Sequence, residues 1–269
     1  MTVFTIKSNQ KAFCKLLKKI GIILFWIAVW NLIYLIVKQE ILIVSPITVF
    51  FRLWELAGEL SFWQTTFFSM LRILEGFLAA VIVGTLTAVL TCKISVIREF
   101  LLPILNMIKT TPVASFVILA LVWIPSGGIP VFISFLMVLP MVWANVSEGI
   151  FKTDQELLEM AFVFRFGKVK TIRDIYLPSV MPYFTAACTT GLGFAWKAGI
   201  AAEVISGAKL SIGGELYRAK IYIETVDLFA WTVVVIVMSV ILEFIMVKVM
   251  NIFMSKHRIK GGIRSGAAG

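Results

Sequence analysis

Apolar residues run along this chain in blocks longer than a soluble core needs. Six stretches are long and apolar enough to cross a hydrocarbon layer, which takes about 20 residues of helix: 20–37, 73–92, 100–123, 129–150, 183–205 and 228–247. In lipid an unpaired backbone group is too costly, so each is expected to be a helix. The pattern predicts an all-α integral membrane protein of about six transmembrane helices. It divides into a basic segment at 1–19, a six-span domain at 20–252 and a basic tail at 253–269. The first block follows a lysine-rich start, as a signal peptide does, but it is long enough to span and lacks a small-residue cleavage site, so it reads as a retained helix.

Two connections carry patterns of their own. Residues 46–60 open on Ser45-Pro46 and mix Phe50, Leu53, Trp54 and Leu56 with Arg52, Glu55 and Glu59, which predicts an amphipathic helix at the outer interface. Residues 153–178 are too long and too regular for a simple loop. Thr153 followed by Glu156 has the spacing of a capping box. Leu157, Leu158, Ala161, Phe162 and Phe164 then form an apolar stripe ahead of a basic run at 165–173. By contrast 124–130, Ile-Pro-Ser-Gly-Gly-Ile-Pro, reads as a tight uncharged turn.

Composition supports the membrane reading: 60% of the residues are hydrophobic and 15% charged, and the mean hydropathy is +0.97. The formal charge of +10 does not point to nucleic acid. With both termini cytoplasmic, seventeen of the 25 basic residues fall in four separate inner segments, as the positive-inside rule requires. Cys14, Cys92 and Cys188 form no paired motif, and His257 is the only histidine, so no metal site or histidine-dependent catalysis is indicated.

The 153–178 segment also carries a family likeness. It resembles the cytoplasmic signature of importer permeases of the ATP-binding-cassette superfamily: Glu-Ala-Ala, three residues, Gly, nine residues, Ile, one residue, Leu-Pro. Glu159, Ala161, Ile175, Leu177 and Pro178 fall in register, whereas Met160 replaces the second residue and Arg165 the glycine, with Gly167 two positions on. The departure touches the geometry of the turn. Ser69, Arg72, Gly76 and Phe77, then Lys109 with Pro112, then Trp196, Glu203, Gly207 and Gly213 resemble in order the subgroup that imports sulfonates, taurine, nitrate and related small molecules.

The resemblance implies a type I importer permease with a coupling helix between spans four and five. Glu156, Leu157, Glu159, Met160, Ala161, Phe162, Phe164, Arg165 and Gly167 would meet the ATPase. The implied partners are a second permease copy, two ATP-binding-cassette subunits, an extracytoplasmic solute-binding protein and the lipid bilayer of a bacterial cytoplasmic membrane, with no nucleic acid. No Gly-rich loop ending in Lys-Ser/Thr is present. The chain is therefore expected to be no enzyme and to hold no cofactor, with ATP and magnesium bound by the partner ATPase. An ion-coupled secondary transporter is the rival, but it should show an internal repeat and several buried acids at mid-membrane.

Five residues are candidates for a translocation pathway: Arg72, Lys109, Trp196, Lys197 and Glu203. Lys197 interrupts the fifth span, where burying an ammonium costs about 2.5–3.5 kcal/mol on insertion scales. The commoner arrangement is an ion pair with Glu75 or another buried acid, and the alternative is contact with an acidic group of a solute. Glu203, six residues on, is out of register with Lys197 for direct pairing. Arg72 and Glu75 have the spacing of an interfacial pair, and Pro112 predicts a kink after Lys109. Gly76, Gly84, Gly191 and Gly193 mark expected close helix approaches. The solute itself stays open among sulfonates, taurine, nitrate, bicarbonate and vitamin or pyrimidine precursors.

Overall fold

The computed structural model describes the backbone of residues 3–261 and the side chains of Lys18 and residues 20–252. The basic side chains of 1–17 and 253–269, His257 among them, lie outside the described residues. All regular structure in the described part is helical. The elements in chain order are α1 (Val3–Val37), α2 (Pro46–Ala57), α3 (Leu60–Lys93), α4 (Ser95–Thr110), α5 (Val113–Ala120), α6 (Ile129–Phe151), α7 (Gln155–Val163), α8 (Lys168–Thr171), a π-turn (Ile172–Tyr176), α9 (Leu177–Ser206), α10 (Ile212–Ile221) and α11 (Thr225–Gly261).

The six expected spans resolve unevenly. Four helices are long and apolar enough to cross a membrane by themselves: Ile20–Val37 within α1, α3, α6 and Thr225–Ile252 within α11. The third expected span is not continuous. It breaks at Thr111-Pro112 into α4 and α5, bent by 104°. Proline has no N–H to continue the ladder, and it drives the residue before it into extended backbone; Thr111 sits at φ −80°, ψ 133°. This is a near-perpendicular break, more than the kink read from sequence. The fifth, α9, has 30 residues, about 45 Å of helix. Small and polar residues keep it out of the strongly apolar class, because it is enclosed by other helices where lipid-facing bulk is not needed.

Helix α6 is the centre of the bundle, packed between α3 and α9, and small residues set the spacing. Gly84 of α3 lies against Val142, where an added Cβ would be 3.0 Å from Val142 Cβ, and Gly191 of α9 lies against Val138. Gly199 marks the three-way junction: a Cβ there would stand 2.5 Å from Ile73 Cγ1 of α3 and 2.8 Å from Ser134 Oγ of α6. Gly76, Gly84 and Gly191 thus sit at close approaches as expected. Gly193 does not, having nothing within 4 Å, while Gly149 and Gly199 do. Two indole N–H groups tie the packing, Trp143 to Thr91 Oγ1 at 2.9 Å and Trp196 to the Val235 carbonyl of α11 at 3.1 Å.

Helix α2 forms where the sequence places it, with Ser45 as N-cap accepting from Thr48 N at 3.1 Å and Pro46 in the first turn. Its buried edge is Val49, Leu53 and Leu56, whereas Phe50 and Trp54 face outward. Arg52 on this helix makes a two-point bond with Asp227 at the start of α11, at 2.5 and 3.0 Å. That hydrogen bonding to Asp227 raises the guanidinium pKa above its already high ordinary value, so the pair stays charged. Helix α1 is peripheral and touches the rest through contacts such as Trp30 stacked on Phe229 at 5.8 Å.

Candidate functional site

Two regions gather the singled-out residues. The first is the segment between α6 and α9. Its N-cap is Asp154, whose carboxylate accepts from Glu156 N at 2.9 Å. The expected capping box is not made: Thr153 is buried, and its hydroxyl donates to the Gly149 carbonyl at the end of α6. Asp wins because the Thr153 hydroxyl is already committed to the end of the preceding helix.

The far end of α7 explains the missing glycine. Phe166 N donates to the Ala161 carbonyl at 2.8 Å and Arg165 N to the Phe162 carbonyl at 3.0 Å, a Schellman-type closure with its left-handed residue at Arg165, φ +50°. The backbone keeps the conformation that glycine takes without strain, although the side chain is arginine. A left-handed non-glycine residue costs about 1–2 kcal/mol. Arg165→Gly is therefore expected to stabilise this turn by about 1 kcal/mol, after glycine's larger unfolded-state entropy is subtracted. Slower amide exchange at residues 164–167 would show it.

Ala161 and Ile175 are buried, while Leu157, Met160, Phe162 and Phe164 stay exposed. Phe162 is 86% and Phe164 69% exposed, and Val163 between them is exposed as well. Glu156, Glu159 and Gly167 are also exposed, with Gly167 as the N-cap of α8. From Lys168 through the π-turn to Ser206 the chain is helical without interruption. The exposed apolar surface of α7 is thus one turn, residues 164–167, away from the rod that becomes α9. Val163 and Val169, exposed on the same segment, were not singled out from sequence; the run of three apolar residues at 162–164 was the signal for the first.

The second region is a buried polar junction where α3, α9 and α10 meet. Glu203 is 0% exposed. Its Oε2 accepts from Ser69 Oγ at 2.9 Å and from Gly213 N at 3.0 Å, and Ser69 Oγ in turn accepts from Ile212 N at 2.8 Å. The carboxylate and hydroxyl together satisfy two N–H groups in the first turn of α10. Arg72 Nη1 lies 4.0 Å from Glu203 Oε1, which has no hydrogen bond, and the guanidinium donates to the Lys209 and Leu210 carbonyls at 3.2 Å each. Gly207, at φ +62°, ends α9 and turns the chain back towards this junction. On α10 itself burial pushes the Glu215 carboxyl pKa up, opposed by Arg218.

The pathway candidates therefore separate. Arg72 and Glu203 come together, and Arg72 does not pair with Glu75, because the 209–210 carbonyls and the Glu203 carboxylate are the stronger attraction. Trp196 is buried, and its N–H is committed to α11, so it packs and does not line an opening. Lys109 and Lys197 are both exposed. Neither forms an ion pair among the described residues, so the expected intrachain bond from Lys197 to Glu75 or another buried acid is not made.

The chain is similar to known proteins. The bicarbonate transport system permease protein CmpB of a Synechocystis species is 29% identical over 159 residues, covering 59% of this chain and 56% of that protein. The chain thus matches a little over half the length of these bicarbonate relatives. The nitrate import permease protein NrtB of a Synechocystis species is 25% identical, covering 60% of this chain and 63% of that protein. The taurine transport system permease protein TauC of Escherichia coli is 22% identical and covers 80% of both. In fold, the chain is similar to the MetNI methionine ABC transporter in an inward-facing conformation, with a TM-score of 0.52 over 72% of this chain and 93% of that one at 17% identity. The family model described as binding-protein-dependent transport system inner membrane component matches residues 76–255, from the close-packed Gly76 through the segment between α6 and α9 and Glu203 into α11, and this chain belongs to that family.

Proposed function

We propose that this chain is the permease subunit of an ATP-driven importer, forming the solute pathway and borrowing ATP hydrolysis from a separate subunit. The observation that carries the reading is the α7 surface: Phe162, Val163 and Phe164 exposed in succession at the end of a short capped helix, one turn before the uninterrupted helical run that starts at Lys168 and leads into α9. Three large apolar side chains held outward on a polar, basic cytoplasmic face are the mark of a docking knob. The rod from α8 into α9 would carry its displacement into the bundle, where α9 packs on α6 and α3.

In this reading both termini are cytoplasmic, and two copies of the chain share one pathway on a two-fold axis, since two ATPase subunits closing together need two docking knobs. ATP and magnesium are held by those partners. A solute-binding protein delivers the solute to the side where α10 and the polar junction lie. ATPase closure then pushes on α7, and α9 moves against α3 and α6 to reopen the pathway inward. The names of the relatives point to small solutes such as bicarbonate, nitrate and taurine.

The test is co-purification from membranes with the double variant Phe162→Ser/Phe164→Ser. Both side chains are exposed, so the fold is expected to survive, whereas a change at buried Ala161 would confuse docking with local unfolding. Wild type should bring an ATP-binding-cassette subunit with it, and the variant should lose at least tenfold of that yield at equal membrane abundance. An ATPase retained in full by the variant would refute α7 as the docking surface.

A further inference from the structure

Helix α9 packs on other helices around about half of its circumference. Ala195 and Gly199 face α6 and α3, through Ser134 Oγ on the Ala195 carbonyl at 3.2 Å and Ile73 against Gly199. Trp196 reaches α11. Ala198 and Ala202 pack with Val117 and Ala120 of α5. At 100° per residue these directions leave one open sector, between α5 and α11, and Phe194, Lys197 and Ala201 stand exposed in it.

Lys197 is the charged residue in that sector. It lies ten residues before Gly207, about 15 Å of helix from the end of α9, too deep for its four-carbon stem to carry the ammonium to that interface. Among the described residues nothing compensates it. Glu203 points to another face of the same helix and is held by Ser69 and Gly213, and Glu75 of α3 is exposed and makes no ion pair. An ammonium so placed does not face lipid; it faces water or an opposite charge.

We propose that Lys197 is the solute-contacting residue of the pathway, and that the solute carries an anionic group, a carboxylate, a sulfonate or a small inorganic oxyanion, which supplies the missing counter-charge during passage. This rests on the permease reading above. A compact, strongly hydrated point charge suits such a role: it attracts an oxyanion without the rigid two-point grip of an arginine, so the anion is released onward. Its rod starts at Lys168, one turn beyond the docking surface of α7, so displacement of α7 would be passed through that turn to the helix that carries the ammonium.

The experiment uses the full complex of permease, ATPase and binding protein in proteoliposomes, with bicarbonate, nitrate and methanesulfonate as anionic probes and choline and urea as controls. Wild type is expected to take up at least one anion with ATP. Lys197→Met should lower that initial rate at least tenfold while retaining the ATPase and the second copy, and Lys197→Arg should restore it to within about threefold. Three results would overturn the proposal: anion uptake by Lys197→Met within twofold of wild type, a Lys197→Met complex that falls apart, which would make the lysine an intersubunit tie, or a wild-type complex that takes up a control and none of the anions. A wild-type chain that brings no ATPase at all defeats the permease reading itself, and co-purification tells that failure apart.

Discussion

Glu203→Ala is expected to lower the stability of the detergent-solubilised chain by about 3 kcal/mol, read as a fall in its thermal unfolding midpoint. Removing one member of a buried charge pair costs about 3–5 kcal/mol, because the partner and its donors are left unpaired. Here the loss strands the Ser69 hydroxyl and the Gly213 N–H, and it leaves Arg72 without the carboxylate 4.0 Å away. The lower end of that range applies because Arg72 is partly exposed and keeps its bonds to the 209–210 carbonyls. Glu203→Gln retains an acceptor for Ser69 and Gly213 and should recover most of the loss, leaving about 1 kcal/mol. Equal damage from both variants would mean that the charge, and not the hydrogen bonding, holds the junction.

Gly76→Ala should be comparably severe, at about 3 kcal/mol, the upper end of what overpacking ordinarily costs. A Cβ at position 76 would collide with the Val131 carbonyl oxygen of α6, and it would stand 2.9 Å from Ser134 Cβ. A backbone carbonyl cannot rotate away as a side chain can, so α3 and α6 would have to part along their contact. Gly193→Ala is the matched control, since nothing lies within 4 Å of the added atom; inside a helix it is expected to be stabilising, by about 0.5–1 kcal/mol. Membrane abundance and thermal midpoint of the two variants, measured side by side, check the contrast.

These two sites show what one-dimensional pattern makes legible. Hydropathy alone locates the apolar helices, because every span must satisfy its own backbone and present apolar side chains over a fixed length. It does not see that Pro112 turns the chain through 104°, since a broken pair and a straight span have the same composition. Nor does it tell which glycine meets a neighbour: Gly191 and Gly193 are two residues apart, and 200° of rotation puts one against Val138 and the other in open space.

The segment between α6 and α9 is legible from its motif, but its cap is not, because Thr153 and Asp154 are both good capping residues and the end of α6 decides between them. Arg72 and Glu203 were each picked out from sequence. Their meeting was not, because 131 positions separate them and the nearer Glu75 offered a plausible local partner. Lys197 is legible as an anomaly, and only the packing of α9 shows that it has no ion-pair partner among the described residues.

The most direct test of ATP-driven import is solute uptake into proteoliposomes holding the chain with its co-purified ATPase and binding protein, energised either by internal ATP or by a proton or sodium gradient. Uptake with ATP and none with either gradient is the expected result. Uptake driven by a gradient in the absence of ATP would contradict it and would make the chain an ion-coupled transporter.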